Sequence, residues 1–181
     1  MRILGVDPGS AATGYGVIER RSGGLAHVAH GTLRPRRGES LPLRLATLQR
    51  SLEEVIELHR PDVVSVERVF VAASARSALV LGHARGVILA AAARARLAVA
   101  EYAPREIKQA VAGTGAAQKA QVQAMVGRLL GLDRRPGQDA ADALAAAICH
   151  AHAGRLRALG VGRSRRPRAR RASALVVRRS R

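Results

Sequence analysis

The sequence predicts an α/β fold in which helices flank a mixed sheet of five strands. Near the N-terminus, three short apolar segments are separated by small residues and turns, a pattern typical of an antiparallel meander. Two later apolar segments alternate with long helical patterns, and this order favours parallel pairing. Hydrophobic residues make up 48% of the 181 residues, which is enough to build the core of one domain.

The predicted strands are short, and the first and fourth each end in an acidic residue. The first ends at Asp7, where Pro8 and Gly9 interrupt regular pairing and open a turn. The fourth ends at Glu67 and follows a helix, so we expect it to pair in parallel with the first. The predicted strands cover residues 2–7, 15–20, 25–34, 62–67 and 97–103.

Five helices are predicted from apolar residues at helical spacing and from signals at helix ends. Ser74 is suited to cap the second helix. Gly82 and Gly86 lie one turn apart on that helix, where they permit close approach of either another helix of this chain or a second subunit. The predicted helices cover residues 41–60, 74–96, 104–113, 117–131 and 137–153.

The last helix carries two acids among small apolar residues. Asp139 and Asp142 are three positions apart, which places their Cβ atoms on one face of a helix, roughly 5–6 Å apart. Carboxylates beside a buried surface are costly unless they bind a cation. The alternative is a favourable interaction of Asp with the positive end of the helix dipole.

Asp7 and Glu67 are expected to join this pair. If the first and fourth strands are parallel neighbours, these acids lie side by side, because adjacent strands are about 4.8 Å apart. The last helix then needs only to pack across that edge to bring four carboxylates together, and these would repel one another without cations. Oxygen ligands of this kind suit Mg²⁺, with Mn²⁺ as a plausible substitute. Two ions about 3.5–4 Å apart support phosphodiester hydrolysis. Asp7 is the expected bridging ligand, and Asp139 binds a metal or positions the attacking water.

Composition divides the chain into a domain at residues 1–154 and a basic tail at residues 155–181. The tail holds eleven Arg and no acid, and we expect it to be disordered. The formal charge of +18 favours a polyanionic partner such as nucleic acid. A single Cys excludes an internal disulfide, and no apolar run approaches the roughly 18 residues that a membrane span needs. Because the N-terminus moves directly into a strand with no signal peptide, we expect a cytoplasmic protein.

Six segments occur in an order and at spacings that match one known family. They are GVDPGSAATGYGVIE, VERVF, SALVLGHARGVILAA, REIKQAVAGTG, QKAQVQAMV and QDAADALAAAICH. They resemble successive blocks of the RuvC family of bacterial Holliday junction resolvases, the crossover junction endodeoxyribonucleases. The resemblance implies an RNase H-like fold, a homodimer, Mg²⁺-dependent paired nicking of four-way DNA junctions, and catalytic roles for the four acids. It also implies handover from the branch-migration complex of RuvA with RuvB.

Five further residues are expected to contact DNA. Lys108 and Lys119 are the only lysines among 31 basic residues, which suggests sites that require a compact charge. The resemblance places them near the scissile phosphate, although a solvated helix face is the alternative. Phe70 follows Glu67 by three residues and is either a wedge at the junction centre or a core residue. Arg68 and Arg76 flank this segment as candidate phosphate contacts.

Two other classes of function compete with the nuclease. The RNase H-like fold is shared with sugar kinases and actin-like proteins, and DPGS followed by Thr-Gly could cradle a phosphate. That class expects a second half of similar size, for which this chain is too short. A non-catalytic, structure-specific DNA-binding protein would account for the charge. It leaves the four acids unexplained, because acids near a phosphate backbone hinder binding unless metals intervene.

Overall fold

The computed structural model describes residues 1–9, 11–36, 38–68 and 74–158. The strands are β1 (Arg2–Asp7), β2 (Thr13–Arg21), β3 (Gly24–Leu33), β4 (Val63–Glu67) and β5 (Ala98–Tyr102). The helices are α1 (Leu41–His59), α2 (Ala75–Arg94), α3 (Pro104–Ala112), α4 (Lys119–Leu130) and α5 (Gln138–Ala158). The order of strands and helices along the chain confirms the sequence prediction.

The five strands form one mixed sheet in the order β3-β2-β1-β4-β5. β1 is antiparallel to β2 and parallel to β4, as the sequence predicted. Val6 lies opposite Val66, so the next residues, Asp7 and Glu67, end neighbouring strands at the same edge of the sheet. β1 is the central strand of the sheet.

Alternation along the strands sends successive side chains to opposite faces of the sheet. Leu4 and Val6 of β1 belong to a core cluster with buried residues of α1 and α2. Ile3 belongs to a second cluster, built from α3, α4 and α5. Asp7 has the same parity as Ile3, and Glu67 has the same parity as Val63 of that second cluster. Both acids are thereby directed towards the face covered by α5.

Helix α5 packs against the sheet almost without intervening side chains. A methyl group at Gly5 would overlap the carbonyl oxygen of Ala143, and one at Gly14 would overlap the carbonyl oxygen of Asp139. Glycine at these two strand positions therefore permits backbone-to-backbone contact with the helix. Leu144 packs its side chain on Gly16 of β2. The other buried residues of α5 are mostly small: Ala140, Ala141, Ala143, Ala145, Ala146, Ala147, Ile148, Cys149 and Ala151.

One buried hydrogen bond fixes α5 over the strand that carries Glu67. The hydroxyl of Ser65 in β4 donates to the carbonyl oxygen of Ala146 at 2.7 Å, and Ser65 is fully buried. Burying a hydroxyl is costly without a partner, so this bond favours one register of the helix over the strand.

Most element boundaries differ from the prediction by one or two residues, and the end of α5 differs by five. β2 begins at Thr13 rather than at residue 15, because Gly14 pairs with Asp7 and extends the ladder to the end of β1. α5 continues to Ala158, beyond both its predicted end and the proposed boundary of the tail at 154. Ala, Leu and Arg are strong helix formers, and this local preference extends the helix. Residues 159–181, the rest of the predicted tail, lie outside the described residues.

Within the described ranges, each helix is too short or too polar to cross a membrane.

Candidate active site

Three elements bring acidic side chains to one edge of the sheet. Asp7 ends β1, Glu67 ends the parallel neighbour β4, and Asp142 lies in the second turn of α5. Asp139 precedes it in the first turn, and its backbone lies against Gly14, the β2 residue paired with Asp7. The close contact of α5 with the sheet therefore determines where its two acids lie.

Asp7, Glu67 and Asp142 line one open cleft of about 240 Å³. Lys108 of α3 and Lys119 of α4 line the same cleft. The remaining wall is mainly apolar and comprises Pro8, Leu81, Pro104, Ile107, Val122 and Ala145. Asp139 lies beside the cleft and is absent from its lining in the described part of the chain. Three acids and two lysines thus line one open cleft.

Burial and mutual repulsion raise the pKa values of the three acids that line the cleft. The pKa of Asp7 is raised to about 7, first by burial and then by the charges of Asp142 and Glu67, while Lys119 opposes the shift. Burial is also the largest cause of the raised pKa of Glu67, followed by the charge of Asp142. The pKa of Asp142 is raised as well, again mainly by burial. A group of acids with raised pKa values in a cleft is typical of a functional site, and bound cations would relieve the repulsion.

Basic side chains partly offset this negative charge. Lys119 Nζ lies 3.6 Å from Asp142 Oδ2, and its side chain is 68% exposed. Lys108 and Lys119 both act to lower the pKa of Glu67 and of Asp142. The two lysines therefore reach the acids from the solvent side of the cleft, where they can also meet an incoming phosphate.

Arg34 is a site residue that the sequence analysis missed. Its Nη2 atom lies 3.4 Å from Asp139 Oδ2, and both side chains are partly exposed. Arg34 immediately follows β3, whose residue Leu33 pairs with Thr13 beside the first turn of α5. Periodicity along β3 could not show this proximity, because it depends on how β2, β3 and α5 pack together.

The remaining predicted DNA contacts are placed differently. Arg68 is exposed, and its Nη2 donates to the carbonyl oxygen of Glu101 at 3.2 Å, on the β5 side of the site. Arg76 is exposed in the first turn of α2 and lies outside the lining of the cleft in the described ranges. Phe70 lies outside the described residues. Contact of these three side chains with DNA stays a prediction.

The donor chemistry of the cleft suits a divalent ion, although the side chains are not arranged as ligands. Among the described residues, no three His, Cys, Asp or Glu side chains form a group that could hold a metal ion. Instead, Asp142 lies near Lys119 and Asp139 lies near Arg34. Carboxylate oxygens are the ligands that Mg²⁺ and Mn²⁺ prefer, so the chemistry of these residues fits such ions although their arrangement in this structure does not form a ligand set.

The meander, the parallel β4 and β5, and the acids at the ends of β1 and β4 define an RNase H-like protein with a carboxylate site. The family model described as "Crossover junction endodeoxyribonuclease RuvC" matches residues 3–150. A relative of that name from Ralstonia nicotianae is 51% identical over 154 residues, which cover 85% of each chain. This chain therefore belongs to the RuvC family, which confirms the resemblance noted in the sequence.

Solved structures agree with this assignment. The structure of Thermus thermophilus RuvC superposes with a TM-score of 0.79 at 33% identity, covering 86% of this chain and 96% of that one. The same protein in complex with a Holliday junction substrate gives a TM-score of 0.81 at 34% identity, with the same coverage. The predicted RNase H-like architecture is therefore confirmed.

Proposed function

We propose that this protein resolves Holliday junctions by nicking two opposed DNA strands symmetrically, through Mg²⁺-dependent hydrolysis of a phosphodiester. Membership of the RuvC family makes it a junction-resolving endonuclease. The observation that best supports the chemistry is the cleft in which Asp7, Glu67 and Asp142 face Lys108 and Lys119. Relatives and a structural neighbour carry names that fit this activity: a crossover junction endodeoxyribonuclease and a complex with a Holliday junction.

Asp7, Glu67, Asp139 and Asp142 are proposed to hold two Mg²⁺ ions, and Mn²⁺ can replace them. When bound, the ions supply Lewis-acid polarisation of the phosphate and activation of the attacking water. Asp7 is suited to bind both ions, because the charges of Asp142, Glu67 and Asp139 all act on its carboxyl group. Its raised pKa of about 7 means that ion binding competes with a proton near neutral pH.

The two lysines have a distinct proposed role. Lys119 lies near Asp142 and is largely exposed, so it can turn from this carboxylate towards a phosphate oxygen. Lys108 enters the same cleft from α3. A positive charge aimed at the scissile phosphate stabilises the extra negative charge of the transition state. We assign Lys108 and Lys119 to this stabilisation and to DNA contact.

A homodimer is proposed because two opposed strands require two equivalent sites. Gly82 and Gly86 are exposed on α2, and a Cβ atom at either position would meet no atom within 4 Å. Packing within the described chain therefore does not require glycine at these positions. Leu79, on the same side of α2, is 66% exposed and extends the surface available to a second subunit. We place the dimer contact on this face of α2.

Two further proposals rest on family membership alone. The protein would receive junctions from RuvA and RuvB, and it would act in the cytoplasm, where bacterial DNA is found. Neither proposal draws on a particular contact in the structure.

The decisive experiment incubates the protein with a synthetic four-way junction and Mg²⁺ and maps the nicks on all four strands. We expect symmetric nicks on two opposed strands, and none with Asp7→Asn. Junction binding without cleavage by the unaltered protein would instead favour a non-catalytic binding protein. Cleavage that persists in Asp7→Asn would contradict the proposed site.

A further inference from the structure

Arg85 connects α2 to the end of the strand that carries Glu67. Its Nη1 donates to the backbone carbonyl oxygen of Glu67 at 2.9 Å, and its Nη2 contacts the carboxylate of Glu101 in β5. The Arg85 side chain is only 19% exposed. A partly buried guanidinium with one carboxylate partner and one carbonyl partner is a strong, directional bridge.

The bridge lies where the β-ladder ends. Val66 pairs with Glu101, and Glu67 pairs with Tyr102 as the last residue of β4. The N–H of Arg68, in the same peptide group as the carbonyl of Glu67, donates to the carbonyl oxygen of Tyr102 at 2.7 Å and holds this group on the β5 side. The guanidinium of Arg85 supplies a bond there, and a partly buried carbonyl left without a partner would be costly.

Arg85 acts from outside the cleft. In the described part of the chain it is absent from the residues that line the cleft, whereas the Glu67 side chain lines it. Glu101 has the opposite strand parity to Tyr102, whose side chain belongs to the core cluster on the α5 face, so Glu101 points towards α2. The guanidinium therefore holds the backbone of Glu67 while the carboxylate of Glu67 stays available to the cleft.

We propose that Arg85 is a positioning residue for catalysis: anchored by Glu101, it fixes the end of β4 and thereby orients the carboxylate of Glu67. The inference rests on the proposed catalytic role of Glu67. Because Arg85 belongs to α2, this contact also connects the site to that helix. Gly82 and Gly86, at the proposed dimer contact, lie on either side of Arg85 in the sequence of α2. Contact between subunits at the α2 face would then bear directly on the helix that holds Glu67 in place.

The test compares Arg85→Lys, Arg85→Met and Glu101→Gln with a matched control, Arg94→Met. Arg94 lies on the same helix and forms an ion pair with Glu53 at 3.3 Å, but its side chain is 71% exposed. Three properties are measured for each variant: the single-turnover nicking rate with Mg²⁺, the affinity for a four-way junction without divalent ions, and the thermal unfolding midpoint.

We expect Arg85→Met to lower the nicking rate by roughly 10–100-fold, the range typical when a group that orients a metal ligand is removed. Junction affinity should be unchanged, because Arg85 does not line the cleft. Arg85→Lys should recover part of the rate, since a point charge can reach only one of the two partners. Glu101→Gln should fall between Arg85→Met and the unaltered protein, and Arg94→Met should nick at the unaltered rate.

Nicking by Arg85→Met at the rate of Arg94→Met would overturn the inference. The inference would also be overturned if the fraction of nicking activity lost equalled the fraction of the variant that is unfolded. Arg85 would then contribute to stability and not to the position of Glu67. If Arg85→Met does not fold, Arg85→Lys and Glu101→Gln decide, since both keep the size of the side chain. Glu67→Gln tests the proposed function separately. Normal nicking by Glu67→Gln refutes the role of Glu67, whereas an inactive Glu67→Gln with a fully active Arg85→Met refutes only the positioning role.

Discussion

Replacing Asp7 by Asn is expected to stabilise the protein while it abolishes nicking. The pKa of Asp7 rises from 3.8 to about 7 on folding, mainly through burial and then through neighbouring acids. Because the folded state binds this proton more tightly than the unfolded state, stability falls as the pH rises between these two values. Above pH 7 Asp7 is ionised in both states, and its destabilising effect on the folded state reaches its maximum. Asn keeps the shape of the side chain without the charge.

The size of the effect follows from the same pKa values. At about 1.36 kcal/mol per pKa unit, the upper limit is about 4 kcal/mol, and partial solvent access lowers the expected gain to roughly 2–4 kcal/mol. For a chain of this size, such a gain corresponds to an unfolding midpoint that is higher by roughly 5–15 °C. At about pH 4 the gain should nearly vanish, because Asp7 is then protonated in the folded state and about half protonated in the unfolded state.

The assay is thermal or urea unfolding of both proteins between about pH 4 and pH 8, without divalent ions. Asp133→Asn is the control, because Asp133 is an exposed loop acid, and it should change stability by less than about 0.5 kcal/mol. Added Mg²⁺ should stabilise the unaltered protein more than Asp7→Asn, since ligand binding to the folded state raises stability. An equal gain at both ends of the pH range, or none at pH 8, would refute the electrostatic explanation.

Three further outcomes are expected from the packing and the charges. Gly5→Ala should destabilise the fold by about 1–3 kcal/mol in urea unfolding, because its methyl group would overlap the backbone of α5. The control Gly127→Ala, in open space on α4, should instead stabilise the fold by about 0.5–1 kcal/mol. Equal effects of the two substitutions would contradict this account. Lys119→Gln should raise the pKa of Asp142 further and lower the nicking rate by roughly 10–100-fold, and a pH–rate profile that does not change would count against it. Gly86→Leu should shift the protein from dimer to monomer in sedimentation without unfolding it, whereas an intact dimer would place the subunit contact elsewhere.

Local patterns predicted most of the fold. The apolar runs of β1 and β4, each ending in an acid, were sufficient to place Asp7 and Glu67 at neighbouring strand ends, because parallel strands share one carboxyl-terminal edge. The spacing of Asp139 and Asp142 predicted a shared helix face. Each of these inferences depends on the period of a strand or a helix, and the first also on the parallel pairing expected for two strands joined through a helix.

Long-range contacts within the site were not predictable in the same way. Arg34 meets Asp139, 105 residues away, and Arg85 reaches Glu67 and Glu101 from another helix. In a chain this rich in Arg, composition cannot distinguish an arginine with a specific partner from one on a solvated surface. These two arginines are identified only by the position of α2 on the sheet and of β3 within it. The extension of α5 beyond residue 154 has a local cause, because the helix propensity of Ala, Leu and Arg outweighs the high density of positive charge there.

The contact between α5 and the glycines of the sheet has a consequence for how the acids can move. Alanine has no rotamers and glycine has no side chain, so no side chain can rearrange where α5 meets Gly5 and Gly14. The fully buried Leu144 and Ile148 fill the rest of this layer. The origins of the Asp139 and Asp142 side chains are therefore as fixed as the strands beneath them, and adjustment during a reaction must come from rotation beyond Cβ. A chain with 2% aromatic residues thus holds its acids on a rigid platform through close main-chain contacts supported by aliphatic side chains.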